Sequence, residues 1–188
     1  MSQQKLLEKV IYVLEKAGIP YMLTGSVVSS LQGEPRLTHD IDIVLSISKN
    51  AIRELLGAFP PPDYYLSEES ILEAIEGKSM FNLIDANEGD KIDFWILTDE
   101  PFDKSRFSRR TVTTFMGLKM YVSAPEDTIL AKLRWAKLAG GSEKHLTDAL
   151  RVYEVQLGKL DMQYLMHWAK ELGVEDLFEE VKKRSCLG

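Results

Sequence analysis

The sequence predicts an α/β (α+β) protein, with a strand-bearing domain over residues 1–123 and a small helical part over 124–188. Three observations carry this expectation. Short apolar runs bounded by turn residues, such as Tyr21–Thr24 and Ile41–Leu45, read as strands. Stretches with apolar residues at helical spacing lie between and around them. Beyond Ser123 only the helical spacing continues.

Residues 2–17 read as an amphipathic helix with Leu6, Leu7, Val10, Ile11 and Leu14 on one face, ended by Gly18 and Pro20. The strand Tyr21–Thr24 closes at Gly25, and Ser26 is read as the cap of a short helix, Val27 to Leu31. In the next strand Ile41, Ile43 and Leu45 alternate with Asp40, Asp42 and Val44. Ser48 caps an expected helix over 49–59, which the run Pro60-Pro61-Pro62 breaks. A short helix over 68–76 with Gly77 as its stop precedes two strands, 80–86 and 91–97, joined as a hairpin.

Arg106, Arg109 and Arg110 read as a solvated loop, with phosphate or acceptor contact as the alternative. A second hairpin, 111–115 and 118–122, turns at Met116-Gly117. Ser123-Ala-Pro125-Glu126 has the pattern of a capping box and opens a helix whose core face is Ile129, Leu130, Leu133 and Ala136. After Gly140-Gly141, Ser142 caps a helix that buries Leu146, Ala149, Leu150 and Tyr153. Two further helices, over about 161–172 and 174–184, read as packing.

Composition narrows the function classes. With 188 residues, 45% hydrophobic and 28% charged, the chain is an ordinary globular one. No apolar run reaches the roughly 20 residues of a membrane span, so no membrane partner is expected. The polar N-terminus is no secretory signal, and one cysteine, Cys186, excludes an internal disulfide. A cytoplasmic location follows as the expectation. A net charge of −6 argues against a surface built for nonspecific nucleic-acid binding.

The chemistry concentrates between Tyr21 and Leu45, in YMLTGSVVSSLQGEPRLTHDIDIVL. Asp40 and Asp42 leave one face of a strand about 6–7 Å apart at the Cα atoms, suited to a shared divalent cation. Two like charges so close beside apolar residues are costly without a cation or donors between them. Gly25 permits close approach to the backbone, and a helix start offers free N–H groups to an anion. Thirteen residues separate Ser26 from Asp40. A second anomaly is Asp93, the one charge between Ile92 and Leu97. It reads as a third metal carboxylate, with a solvent-facing aspartate as the alternative.

Gly25-Ser26 followed by Asp40-Ile-Asp42 resembles the motif of the DNA polymerase β-like nucleotidyltransferases. The run Arg36-Leu-Thr38-His-Asp40-Ile-Asp42 is similar to the stand-alone bacterial branch that includes abortive-infection toxins of the AbiEii type. The resemblance covers Tyr21 to Leu97 firmly and runs more loosely to about residue 155. It implies a mixed sheet flanked by helices, Mg²⁺ or Mn²⁺ on Asp40, Asp42 and Asp93, and a nucleoside triphosphate held by Gly25, Ser26, Arg36, Thr38 and Lys132. The implied reaction moves a nucleoside monophosphate to an acceptor hydroxyl (an RNA end, a protein or a small molecule) with release of pyrophosphate. A toxin-type role would add an antitoxin partner.

In such relatives a lysine in the first helix after residue 123 and an acidic residue in the second belong to further motifs, which Lys132 and, less closely, Asp148 match. By spacing alone Lys132 is equally a snorkelling surface lysine, and Asp148 a helical partner of Lys144 or Arg151. Two other functions compete. A non-catalytic nucleotide-binding module could keep the fold, though the full carboxylate set argues against decay. A glycosyltransferase also uses Asp-x-Asp, but only 39 residues precede Asp40 and Gly25-Ser26 would have no role.

Overall fold

The computed structural model describes residues 3–36, 38, 40–115 and 117–186. The readings of His39 and of Met116 in the second hairpin turn lie outside the described residues. The chain divides into two compact units. One takes the chain up to Leu23 and from Thr38 to Val122; the other takes Thr24–Leu37 and the chain from Ser123 onward. These units differ from the contiguous division expected from the sequence, because Thr24–Leu37 groups with the later helices.

The first unit is organised by a mixed seven-stranded sheet. Its strands are β1 (Tyr21–Thr24), β2 (Ile41–Leu45), β3 (Tyr64–Tyr65), β4 (Met80–Asp85), β5 (Lys91–Ile96), β6 (Thr111–Phe115) and β7 (Leu118–Val122). Their order is β3-β4-β5-β2-β1-β7-β6. β2 runs parallel to β5 and β1 to β7, while β3/β4, β4/β5 and β6/β7 are antiparallel.

Strand alternation explains the two faces of this sheet. Ile41, Ile43, Ile92, Phe94, Phe81 and Leu83 are all buried, and Phe81 lies opposite Phe94. On that layer α4 (Glu68–Gly77) packs against β4 and β5, α3 (Ile52–Ala58) against α4, and α1 (Gln3–Lys16) against α3. Burying each such side chain contributes about 1.5–3 kcal/mol. The other face carries a small cluster of Met22, Val44 and Phe107, with Trp95 and Leu97 against it. Phe107 comes from α5 (Pro101–Ser108), a helix where the sequence reading expected a loop. Pro101 opens α5, Arg106 pairs with Asp103, and Arg110 lies over the rings of Phe107 and Tyr121.

The second unit holds α2 (Gly25–Gln32), α6 (Pro125–Leu138), α7 (Glu143–Gln156), α8 (Met162–Glu171) and α9 (Glu175–Ser185). Two local expectations are corrected. The cap of α2 is Thr24 and Ser26 lies within its first turn. The capping box at α6 does not form: Ser123 bonds the Thr128 hydroxyl, and Glu126 accepts from the Asp161 backbone N–H. In the first unit, α4 ends at Gly77 as expected, and its C-cap Lys78 takes the left-handed conformation. No helix among the described residues is long and apolar enough to cross a membrane.

Candidate functional site

The sheet brings two of the three predicted carboxylates together. Parallel pairing sets Asp42 of β2 directly against Asp93 of β5. Antiparallel pairing sets Asn82 of β4 on the other side of Asp93. Register partners point to the same face, so Asn82, Asp93 and Asp42 form a row across three strands, spaced at about 4.8 Å per strand.

Each carboxylate in the row has donors. Asp93 accepts from the Asn82 amide through Oδ1, and Lys91 Nζ lies 2.9 Å from its Oδ2. The indole N–H of Trp95 donates to Asp42 Oδ1 at 3.1 Å. The hydrogen bond to Asp93 raises the Lys91 pKa against the effect of its own desolvation, and the charges of Asp93, Asp40 and Asp42 add to that rise. One ammonium therefore stands in the field of all three aspartates. Asp40 itself is exposed, just ahead of β2, and its backbone N–H donates to Thr38 Oγ1 at 3.4 Å. Among the described residues no three His, Cys, Asp or Glu side chains stand close enough to form a ready-made metal site. Donors within the protein already engage Asp42 and Asp93.

A second cluster lies wholly within the helical unit. Gly25 takes φ 72° where β1 turns into α2, a left-handed conformation that favours glycine. The next residue, Ser26, is buried, and its Oγ accepts from Arg36 Nη2 at 2.9 Å and from Lys132 Nζ at 3.2 Å. Both cations are positioned by Asp148. Arg36 binds it side-on, Nε to Oδ1 and Nη2 to Oδ2 at 2.8 Å each, and Lys132 Nζ is 2.7 Å from Oδ2.

Lys132 and Asp148 are only 4% and 6% exposed, so neither is the surface residue that helical spacing alone allowed. Burial opposes ionisation of Asp148, but the hydrogen bonds from Arg36 and Lys132 outweigh it and hold its carboxyl below the ordinary range. Two cations, tied to one carboxylate, thus both donate to the Ser26 hydroxyl. His145 lies in the same field: burial, then the Lys132 charge, lowers its pKa.

Gly25, Ser26, Arg36 and Lys132, all predicted for the nucleotide, thus form one cluster with Asp148. Asp42 and Asp93 form another, with Asp40 and Thr38 at its edge. Sequence reasoning passed over Lys91, Asn82 and Trp95. The available signals were Lys91 two residues before Asp93 on the same strand face, and an asparagine inside a strand, where that residue is depleted.

Two solved structures are similar over nearly the whole chain. A nucleotidyltransferase-like antigenic protein from Paracoccidioides brasiliensis matches with a TM-score of 0.56 at 19% identity, covering 96% of this chain and 92% of its own. The fold is that of the nucleotidyltransferases. The antibiotic-resistance factor ANT(2'')-Ia matches with a TM-score of 0.51 at 13% identity, covering 97% and 92%. No family model and no curated protein matches the sequence.

Proposed function

We propose that this chain is a metal-dependent nucleotidyltransferase, moving a nucleoside monophosphate from a triphosphate to an acceptor hydroxyl. The observation that carries the reading is Asp42 opposite Asp93 in the parallel register of β2 and β5. Two carboxylates on adjacent strands of one face repel each other, and the chain meets that repulsion with the Lys91 ammonium and neutral donors.

The donor set fits a hard divalent cation: its anionic donors are all carboxylates, and a protein cation already stands among them. Asp40, Asp42 and Asp93 would hold Mg²⁺ or Mn²⁺, which supplies charge neutralisation at the phosphates and lowers the pKa of the attacking hydroxyl. Ser26, Arg36 and Lys132 bind the β- and γ-phosphates, Arg36 and Lys132 as cations kept in place by Asp148. Gly25 lets the phosphates approach the backbone, and Thr38 steadies the approach to Asp40. The acceptor oxygen attacks the α-phosphorus and a new P–O bond forms there. The bond from the α-phosphorus to the bridging oxygen breaks, and pyrophosphate leaves with that electron pair. Asp93 takes the acceptor's proton.

In this reading 1–123 is the catalytic domain and 124–188 the helical part that supplies Lys132. A toxin-type setting with an antitoxin partner rests on the sequence resemblance alone. A nucleoside triphosphate should raise the melting temperature in Mg²⁺ or Mn²⁺ and much less in EDTA. Equal shifts with and without metal would overturn the metal-dependent reading. Incubation with each α-labelled nucleotide and fractionated lysate would then identify the labelled acceptor.

A further inference from the structure

β3 has two residues and pairs only with Ile84 and Asp85, so the first part of β4 has no strand on its outer side. In antiparallel pairing each residue turns both backbone groups to one side, and the side alternates along the strand. Ser79 and Asp85 turn theirs toward β5: Ile96 N–H donates to Ser79 O at 2.9 Å, and Asp85 N–H to Asp90 O at 2.8 Å. The even-numbered residues therefore turn outward. Ala86 N–H does so onto Asp63 O at 2.9 Å, and Ile84 lies opposite Tyr65. By the same alternation the N–H and C=O of Met80 and Asn82 point out from the edge, with no hydrogen-bond partner among the described residues.

A cavity of about 480 Å³ lies along that open stretch. Its wall includes Met80, Asn82 and Ile84, whose side chains leave one face of β4, and Phe81, which leaves the other. Only a space beside the strand reaches both faces, so the cavity stands where a further strand would lie. Across it are Leu66 and Ser67, where the chain leaves β3, then Ser70, Glu73 and Ala74 of α4. Met80 to Asn82 carry no proline, no charge and no bulge, three of the devices that keep an edge from pairing.

The surroundings carry one sign of charge. From Pro60 to Gly77 the chain holds Asp63, Glu68, Glu69, Glu73 and Glu76 and no basic residue. Lys78, which follows, pairs with Asp99, and Lys9 lies over the ring of Tyr64. An extended segment seated antiparallel to β4 would put one residue opposite Phe81, with its side chain toward α4. Its two neighbours, opposite Asn82 and Met80, would leave the other face. A lysine or arginine in the middle position covers Phe81 and Ala74 with its stem and meets Glu73 with its head. Apolar residues in the flanking positions lie along Met80, Ile84 and the exposed ring of Tyr65.

We infer that the edge of β4 is a docking groove for an extended basic segment of a partner protein, of the pattern apolar, Lys or Arg, apolar. The segment adds to the sheet as a strand between β4 and α4. Main-chain bonds to Met80 and Asn82 give it affinity, and Glu73 selects its charge. The inference is independent of the nucleotidyl-transfer reading.

The test uses the acetylated, amidated pentapeptide Thr-Val-Lys-Val-Thr and its Thr-Val-Glu-Val-Thr counterpart, followed by NMR on the intact chain. At a free concentration about ten times its Kd, the lysine peptide should slow amide exchange at Met80 and Asn82 about tenfold. Methylating its two valine nitrogens removes the N–H groups that face β4 and should weaken binding by about tenfold or more. The glutamate peptide should bind about threefold more weakly than the lysine peptide, and Glu73→Gln should shrink that difference. Glu73 is exposed, so the variant keeps the fold. Unchanged exchange at Met80 and Asn82, indifference to valine methylation, or equal affinity for the glutamate peptide would overturn the proposal. Protection of the same amides that grows with protein concentration, without peptide, would assign the edge to a second copy of this chain and overturn the basic partner.

Discussion

Asp42 and Asp93 are register partners across the parallel strands β2 and β5, with the Lys91 ammonium against the second and the Trp95 indole N–H against the first. That pairing carries a stability consequence. An amide in place of Asp42 keeps an oxygen for Trp95 and removes one of two like charges. Asp42→Asn should therefore unfold in EDTA at the same denaturant concentration as wild type or slightly higher, while nucleotidyl transfer is lost. Millimolar Mg²⁺ should then stabilise wild type more than the variant. A clearly destabilised variant in EDTA would mean that the protein itself holds the Asp42 charge.

Lys91 occupies the position of a cation among the aspartates. Removing it with Lys91→Met should tighten Mn²⁺ binding, followed by paramagnetic relaxation, since the metal no longer displaces an ammonium. Its side chain is 42% exposed, so the cost to the metal-free fold stays below about 1 kcal/mol. Weaker Mn²⁺ binding would show that Lys91 helps to build the site rather than fill it.

Asp148 is the counter-ion of two cations, one of them buried. Asp148→Asn leaves Lys132 without its carboxylate and should cost about 3–5 kcal/mol in urea unfolding. Adding Lys132→Met should recover part of that loss, because the stranded charge is gone. A double variant no more stable than the single one would place the cost in Arg36 or in packing.

His145 gives the helical unit a pH dependence. Burial and then the Lys132 charge lower its pKa from the ordinary 6.5, against the pull of Asp148, and its buried Nδ1 has no hydrogen-bond partner among the described residues. The unfolded chain then binds the proton at a higher pH than the folded one. Its contribution is complete above 6.5 and is lost as the pH falls through that value toward the folded pKa. Urea unfolding between pH 8 and 5 should show this loss in wild type and a flatter profile in His145→Gln. An imidazole titrating above 6.5 by NMR would reverse the sign.

Gly33 follows α2 where α7 passes closely. A Cβ there would stand 2.9 Å from Arg151 C and Val152 N and 3.0 Å from Ser29 O, all backbone atoms. Backbone yields little, so Gly33→Ala should destabilise by about 1–3 kcal/mol in denaturant unfolding. A neutral variant would mean that α2 shifts freely against α7.

Much of this protein is determined by its sequence alone, because strand and helix periods are local properties of side-chain direction. Alternation marked β2, β4 and β5, and spacing marked the buried face of α1 residue by residue. The weak local signals failed. β3 has two residues, and α5 buries only Phe102, Asp103 and Phe107, too short a pattern to stand out.

The carboxylate spacing of Asp40 and Asp42 was legible because one strand sets it. That Asp93 should lie opposite Asp42, and not one residue away on the other face, depends on the register between strands, which local sequence does not encode. Asp148 shows the same division. Helical spacing offered it Lys144 or Arg151, yet tertiary packing buried it against Arg36, 112 residues earlier, and Lys132 on the neighbouring helix. A buried carboxylate must find its charge partners wherever packing brings them, and distance along the chain carries no information about that choice.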